Sequence, residues 1–124
     1  MKKILQVVLL LNVLFMFSAV SHADSPITAT KYYEAYLDVK MVERAHLEGV
    51  MGLEIAEFLT SPENPIDVKA AVINALSWRF DGKNNAELYA YYLALLYHVS
   101  VIELDTEFLS ADEIFCIGYL TAMD

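Results

Sequence analysis

Apolar residues form one continuous run near the N-terminus and a periodic pattern through the rest of the chain. The run over 4–20 follows two lysines and precedes Ser21-His22-Ala23. A basic start, an apolar centre and a small-x-small site are the layout of a secretory signal peptide. We therefore expect residues 1–23 to be a cleaved signal peptide, 24–124 to be the mature domain, and its location to be the bacterial periplasm. The alternative is an uncleaved anchor, since about 17 apolar residues are near the lower limit for crossing a bilayer.

Beyond the signal, apolar residues recur every three or four positions, which indicates amphipathic helices. The helical patterns cover 31–59, 68–78, 88–102 and 114–123. Proline, glycine and polar residues predict breaks at 61–65, 80–84 and 105–109, and the first pattern is expected to split near Gly49 or Gly52. The sequence therefore predicts an all-α fold of four to five helices, arranged as one small bundle or as a stack of helix pairs.

Two of the predicted helix starts carry capping-box patterns, and one break contains a glycine suited to a left-handed turn. The patterns are Asn84-x-x-Glu87 and Ser110-x-x-Glu113, in which the side chains at both ends satisfy backbone amides of the first turn. The glycine is Gly82. The C-terminal helical pattern reaches Asp124 without a cap, so we expect either a docked terminal helix or a C-terminally truncated form.

Composition changes the picture in three ways. The 124 residues allow one domain, and the one cysteine excludes an intramolecular disulfide and a cysteine-rich zinc site. Removal of Lys2 and Lys3 with the signal takes the formal net charge from −9 to −11. This acidity argues against nucleic acid as a partner, because its phosphates would be repelled. Much of the mean hydropathy of +0.42 belongs to the signal, so we expect no membrane association after cleavage.

One residue pair and one cysteine are candidate metal-binding or catalytic groups. Glu43 and His46 share a helix face at the spacing of di-iron carboxylate bundles, but His98 has Leu95 three positions before it, so a second half is missing. A solvated helix face is the better interpretation. Cys116 lies in an apolar run and is expected to be a buried small hydrophobe. We therefore predict no enzyme activity, no metal site and no cofactor.

Tyrosines on the helix over 88–102 are candidates for a binding surface. A core stripe is expected at Leu88, Tyr92, Leu95, Leu96 and Val99. Tyr89, Tyr91 and Tyr97 then lie partly off the stripe, and tyrosine is favoured at interfaces because it combines a large apolar body with a polar tip. Ordinary half-buried packing is the alternative.

Acidic residues around the third break are the second candidate feature. Glu103, Asp105 and Glu107 lie close together there, and an acidic loop facing a basic partner would accelerate association. The alternative is a solvated surface that keeps an exported protein soluble.

The run Phe115-Cys116-Ile117-Gly118-Tyr119-Leu120 resembles the Phe-Cys-x-Gly-Tyr helix of small helical periplasmic immunity proteins that neutralise type VI secretion amidase effectors. The resemblance covers about ten residues, the chain length, the signal peptide and the helical pattern. It implies binding and blocking of a peptidoglycan-cleaving toxin. It also implies structural roles for Gly118, in close helix approach, and for Cys116, in a bridge for which this chain has no second cysteine.

Together these features predict an exported, acidic, non-catalytic protein that acts by protein–protein interaction with a basic partner. An immunity or inhibitor role is the more specific form of this hypothesis. The tentative partner-binding residues are Tyr89, Tyr91, Tyr97, Glu103, Asp105 and Glu107. The alternative is a structural or chaperone-like envelope protein that binds clients or self-associates as a homo-oligomer.

Overall fold

The computed structural model describes residues 25–78 and 84–124, and these residues are helical without a strand. The α-helices are α1 (Pro26–Ala29), α2 (Lys40–Glu48), α3 (Leu53–Thr60), α4 (Ile66–Ser77), α5 (Asn85–Tyr97) and α6 (Ala111–Met123). Short 3₁₀ helices cover Tyr32–Tyr36 and Val101–Glu103. The predicted all-α class is confirmed. Among the described residues there are six α-helices rather than four to five, because the one-turn α1 is too short to show a helical period.

Helix α4 lies at the centre of the domain. Every residue from 71 to 77 is buried, so this part of the helix is covered on all sides, unlike an amphipathic surface helix. It packs against α2, α3, α6 and the first 3₁₀ helix, and α5 closes the other side by packing on α6 and α3. The buried apolar side chains of these elements form one cluster that extends from Tyr33 to Met123 in the sequence.

The predicted breaks are confirmed where the structure describes them, but two patterns are longer than their helices. The pattern over 31–59 begins with a 3₁₀ helix and a further break, and its first α-helix, α2, starts only at Lys40. The split after α2 occurs at Gly49, which adopts the left-handed conformation (φ 67°) that glycine tolerates best. The helix predicted over 88–102 ends at Tyr97, because His98 is left-handed (φ 57°) and Val99 N–H donates to the Ala94 carbonyl oxygen. This is a Schellman-type end without the usual glycine, so the sequence did not signal it. The turn predicted at Gly82 lies outside the described residues.

One of the two predicted capping boxes is confirmed. Ser110 and Glu113 cap α6 reciprocally. The box at Asn84 is wrong, because the Asn84 side chain makes no cap bond and the Asp124 carboxylate instead accepts from Ala86 N–H at 2.7 Å. A carboxylate at a helix N-terminus also interacts favourably with the helix dipole.

Buried asparagines attach the irregular segments to the central helices. The Asn74 side chain of α4 is fully buried; its amide nitrogen donates to the carbonyl oxygens of Ile27 and Thr30, and its amide oxygen accepts from Tyr33 N–H. The Asn85 side chain of α5 accepts from Met51 N–H at 2.7 Å, which fixes the connection between α2 and α3. Each amide supplies the backbone partners that non-helical segments lack.

Within the described residues, no helix combines the length and hydropathy that a membrane-crossing helix requires. The apolar run over 4–20 lies outside them.

We expect Asn74→Ala to lower the free energy of unfolding by about 3 kcal/mol, because it leaves several buried backbone groups without a partner. Urea unfolding followed by circular dichroism measures the change. Asn84→Ala is the matched control: it removes the same side chain from an exposed position without a cap bond, and a shift within about 0.5 kcal/mol is expected. Equal effects of the two variants would contradict the role assigned to Asn74.

Candidate functional site

The tyrosines predicted as a binding surface have three different environments. Tyr89 is fully buried, and its hydroxyl lies 3.1 Å from the Thr60 hydroxyl, so its proposed surface position is wrong. The predicted core stripe was also misplaced, since Leu95 is 77% exposed and Leu96 is 46% exposed. The leucine- and tyrosine-rich run offers two overlapping faces with helical spacing, and periodicity alone cannot choose between them.

Tyr91 and Tyr97 are partly accessible but lie in separate places. Tyr91 is half exposed, and its hydroxyl donates to the Glu87 carboxylate at 3.1 Å. Tyr97 is half-buried; its hydroxyl donates to the Glu113 carboxylate at 2.9 Å, and its ring makes an edge contact with Phe108. Tyr97 therefore joins the end of α5 to the start of α6 and supports the loop between them.

The loop over 98–110 carries the three predicted acidic residues, all exposed. Glu103 accepts from the backbone N–H and the hydroxyl of Ser100, a capping box that the sequence analysis did not identify although its Ser-x-x-Glu spacing is readable. These bonds hold the pKa of the Glu103 carboxyl below its ordinary value. The Asp105 carboxylate accepts from Glu107 N–H at 3.1 Å, so two of the carboxylates shape the loop.

An apolar side chain projects from this acidic loop. Ile102 is 99% exposed and directly precedes Glu103 in the second 3₁₀ helix. Phe108, farther along the same loop, is 43% exposed beside Tyr97. We call residues 98–110 the acidic loop: it combines fixed backbone turns, three exposed carboxylates and one fully exposed aliphatic side chain.

A buried cation of α4, Lys69, pairs with a partly exposed carboxylate in the first turn of α6. Lys69 is completely buried, and its ammonium donates to the Asp112 carboxylate at 2.6 Å. Cys116, one turn after Asp112, is a free buried thiol, as predicted, and its Sγ lies 3.9 Å from the Leu59 carbonyl oxygen. Burial raises the pKa of this thiol to about 12, against a smaller opposite effect of Lys69. A thiol with this pKa is protonated near neutral pH and is a poor nucleophile.

The Glu43–His46 pair does not gather further ligands among the described residues. The His46 ring stacks on Tyr33 with ring centroids 5.0 Å apart, while Glu43 is exposed. In residues 25–78 and 84–124, no group of three or more histidine, cysteine and acidic side chains is placed to hold a metal ion.

The residues that carry the family resemblance are divided between the core and the surface. Cys116 and Tyr119 are buried, whereas Phe115 is 40% exposed. The close helix approach implied for Gly118 is wrong, because a Cβ added there would meet no atom of another element within 4 Å. Gly118 instead lines an open apolar hollow of about 410 Å³ between α6 and the segment over 25–28.

A scan against protein-family models and searches of curated proteins and of solved structures find no match to this chain.

The Lys69–Asp112 pair gives a prediction about stability. We expect Asp112→Ala to lower the free energy of unfolding by about 3 kcal/mol, because the buried ammonium then lacks its partner. Lys69→Met is expected to change it by less than about 1 kcal/mol or to increase it, since the charge and its desolvation are removed together. Chemical unfolding with Asp38→Ala as the exposed control measures both. A loss for Lys69→Met as large as that for Asp112→Ala would show that the ammonium itself contributes net stability.

The Cys116 thiol gives a prediction about reactivity. We expect it to react with a dipyridyl disulfide at least about 1,000-fold more slowly in the native protein than in urea, because reaction requires local or global opening. Ala35→Cys in a Cys116→Ala background provides an exposed comparison thiol. Similar native rates for the two thiols would contradict the burial of Cys116.

Proposed function

We propose that this protein is an exported, non-catalytic inhibitor that binds a basic protein partner through the acidic loop. The observation that carries the proposal is the complete exposure of Ile102 within a loop whose turns are fixed by its own carboxylates. An aliphatic side chain surrounded by negative charge is complementary to an apolar pocket with a cationic border.

The internal bonds of the acidic loop support binding with little ordering on contact. Ser100 and Glu103 fix its first half, and Tyr97 connects it to Glu113 in the body of the domain. A preorganised loop loses less conformational entropy when it binds, so more of the contact energy appears as affinity. The exposed Ile102 would be the anchor and the carboxylates would form the polar border, an arrangement typical of binding hot spots.

Net charge supports a basic partner. The chain has 17 acidic and 8 basic residues, and two of the basic residues lie in the predicted signal. A field of this sign attracts a cationic surface and repels an acidic one, which raises the association rate at low ionic strength.

The signal-like N-terminus and the resemblance of the helix around Cys116 to immunity proteins add the cellular setting. We propose that the protein works in the periplasm and that its partner is a peptidoglycan-cleaving amidase toxin, whose active cleft the acidic loop would cover. This role needs no catalytic group in the inhibitor.

Coexpression with type VI secretion amidases directed to the periplasm tests the proposal. The full chain is expected to prevent lysis by at least one basic amidase and to inhibit that purified enzyme on peptidoglycan. Ile102→Asp is expected to weaken inhibition at least about tenfold, because a hot-spot side chain is replaced by a charge. Raising the salt concentration is expected to slow association, because it screens the acidic carboxylates.

Leu37→Asp is the matched control, since Leu37 is also partly exposed but lies far along the chain from the acidic loop. Two results would exclude the loop as the binding surface. One is that Leu37→Asp abolishes rescue as completely as Ile102→Asp does, and the other is that Ile102→Asp rescues as well as the wild type. Absence of inhibition with every amidase, together with protection of unrelated aggregating proteins, would support a chaperone-like role instead.

A further inference from the structure

A second apolar surface lies on the other exposed side of α5, in the groove that α5 forms with α3. Residues 51–53 and Ala56 line one side, and Leu88, Tyr91, Tyr92 and Leu95 line the other. The groove encloses about 210 Å³. We call it the α3–α5 groove; it includes no residue of the acidic loop.

We propose that the α3–α5 groove binds an amphipathic helix that presents apolar side chains to the groove and lysine or arginine at its edges. The buried residues Met51 and Ala56 form the bottom, while Leu53 is 66% exposed and Leu95 is 77% exposed at the edges. Large aliphatic side chains on two neighbouring helices, with the small Ala56 between them, form the kind of apolar groove in which an amphipathic helix docks.

The border of the groove selects the charge of the bound helix. Glu87 accepts from the Tyr91 hydroxyl. Burial and, to a smaller extent, the charge of Glu57 raise the pKa of Tyr92, so both carboxylates lie beside groove residues. Glu48 and Glu54 lie next to Leu53 in the adjoining hollow. The cation described at this border, Arg44, pairs with both Glu48 and Glu54. The border therefore keeps a net negative charge, which favours a cationic helix.

The same charges disfavour a second copy of this chain as the occupant. A symmetric dimer would place each groove against its equivalent, because a two-fold interface uses the same patch on both subunits. The carboxylates of one copy would then face those of the other, and like charges across an interface are unfavourable.

Binding of a fluorescein-labelled 14-residue peptide of leucine and lysine in helical period tests this inference, with anisotropy as the measurement. We expect binding to the full protein, and at least about tenfold weaker binding to Leu95→Lys and to Leu53→Lys. Both side chains are exposed, so the variants are expected to fold, which circular dichroism checks. Leu37→Lys is the matched control, because it adds the same charge at an exposed aliphatic position outside both the groove and the acidic loop; its affinity should change less than about twofold.

Two further peptides distinguish the contribution of the helical period of the peptide from the contribution of its positive charge. A peptide of the same composition without helical period is expected to bind at least about tenfold more weakly, and one with glutamate in place of lysine is expected not to bind. Equal binding of the first two peptides, or equal effects of Leu95→Lys and Leu37→Lys, would overturn the proposal. Sedimentation of the wild type as a dimer that Leu95→Lys dissociates would also overturn it, because the occupant would then be a second copy. The result does not depend on inhibition of an amidase.

Discussion

The Asn74 side chain connects the irregular N-terminal segment to the central helix. Its amide oxygen accepts from Tyr33 N–H, and the two hydrogens of its amide nitrogen are shared among the carbonyl oxygens of Ile27 and Thr30 and the Tyr119 hydroxyl of α6. Tyr119 in turn donates to the Ile27 carbonyl oxygen at 2.8 Å. Since α4 contacts most of the other elements, this one amide relates the N-terminal segment, α4 and α6 to each other. A short helix such as α1 has little stability of its own, so its position depends on these long-range bonds.

The two proposed binding surfaces have different relations to this framework. Glu113 fixes both ends of the acidic loop. This buried carboxylate caps the start of α6 and accepts from the hydroxyl of Tyr97 at the end of α5. The α3–α5 groove depends on Asn85, whose side-chain oxygen accepts from the backbone N–H of Met51. Each surface thus has a buried polar side chain behind it, which sets its geometry without contributing to its exposed chemistry.

Local signals in the sequence predicted much of the fold and less of the candidate site. The all-α class, the break at Gly49, the Ser110 capping box and the burial of Cys116 followed from periodicity, glycine and spacing. The end of α5 was not predicted, because His98 adopts a left-handed conformation that the residue type does not indicate. Tyr89 was misplaced because its helix has apolar residues on more than one face. The caps provided by Asp124 and Asn85 join residues 34 or more positions apart, which no local pattern encodes.

The burial of Cys116 has a consequence for the folding of the chain rather than for its native state. In an oxidising compartment an accessible thiol reacts with oxidants and with other disulfides. Under the proposed export, the chain would enter such a compartment unfolded, with its one cysteine accessible until α6 packs against α3 and α4. Oxidation and folding would then compete in time. Selection on this protein would act on how quickly the last helix docks as well as on how stable the domain is afterwards.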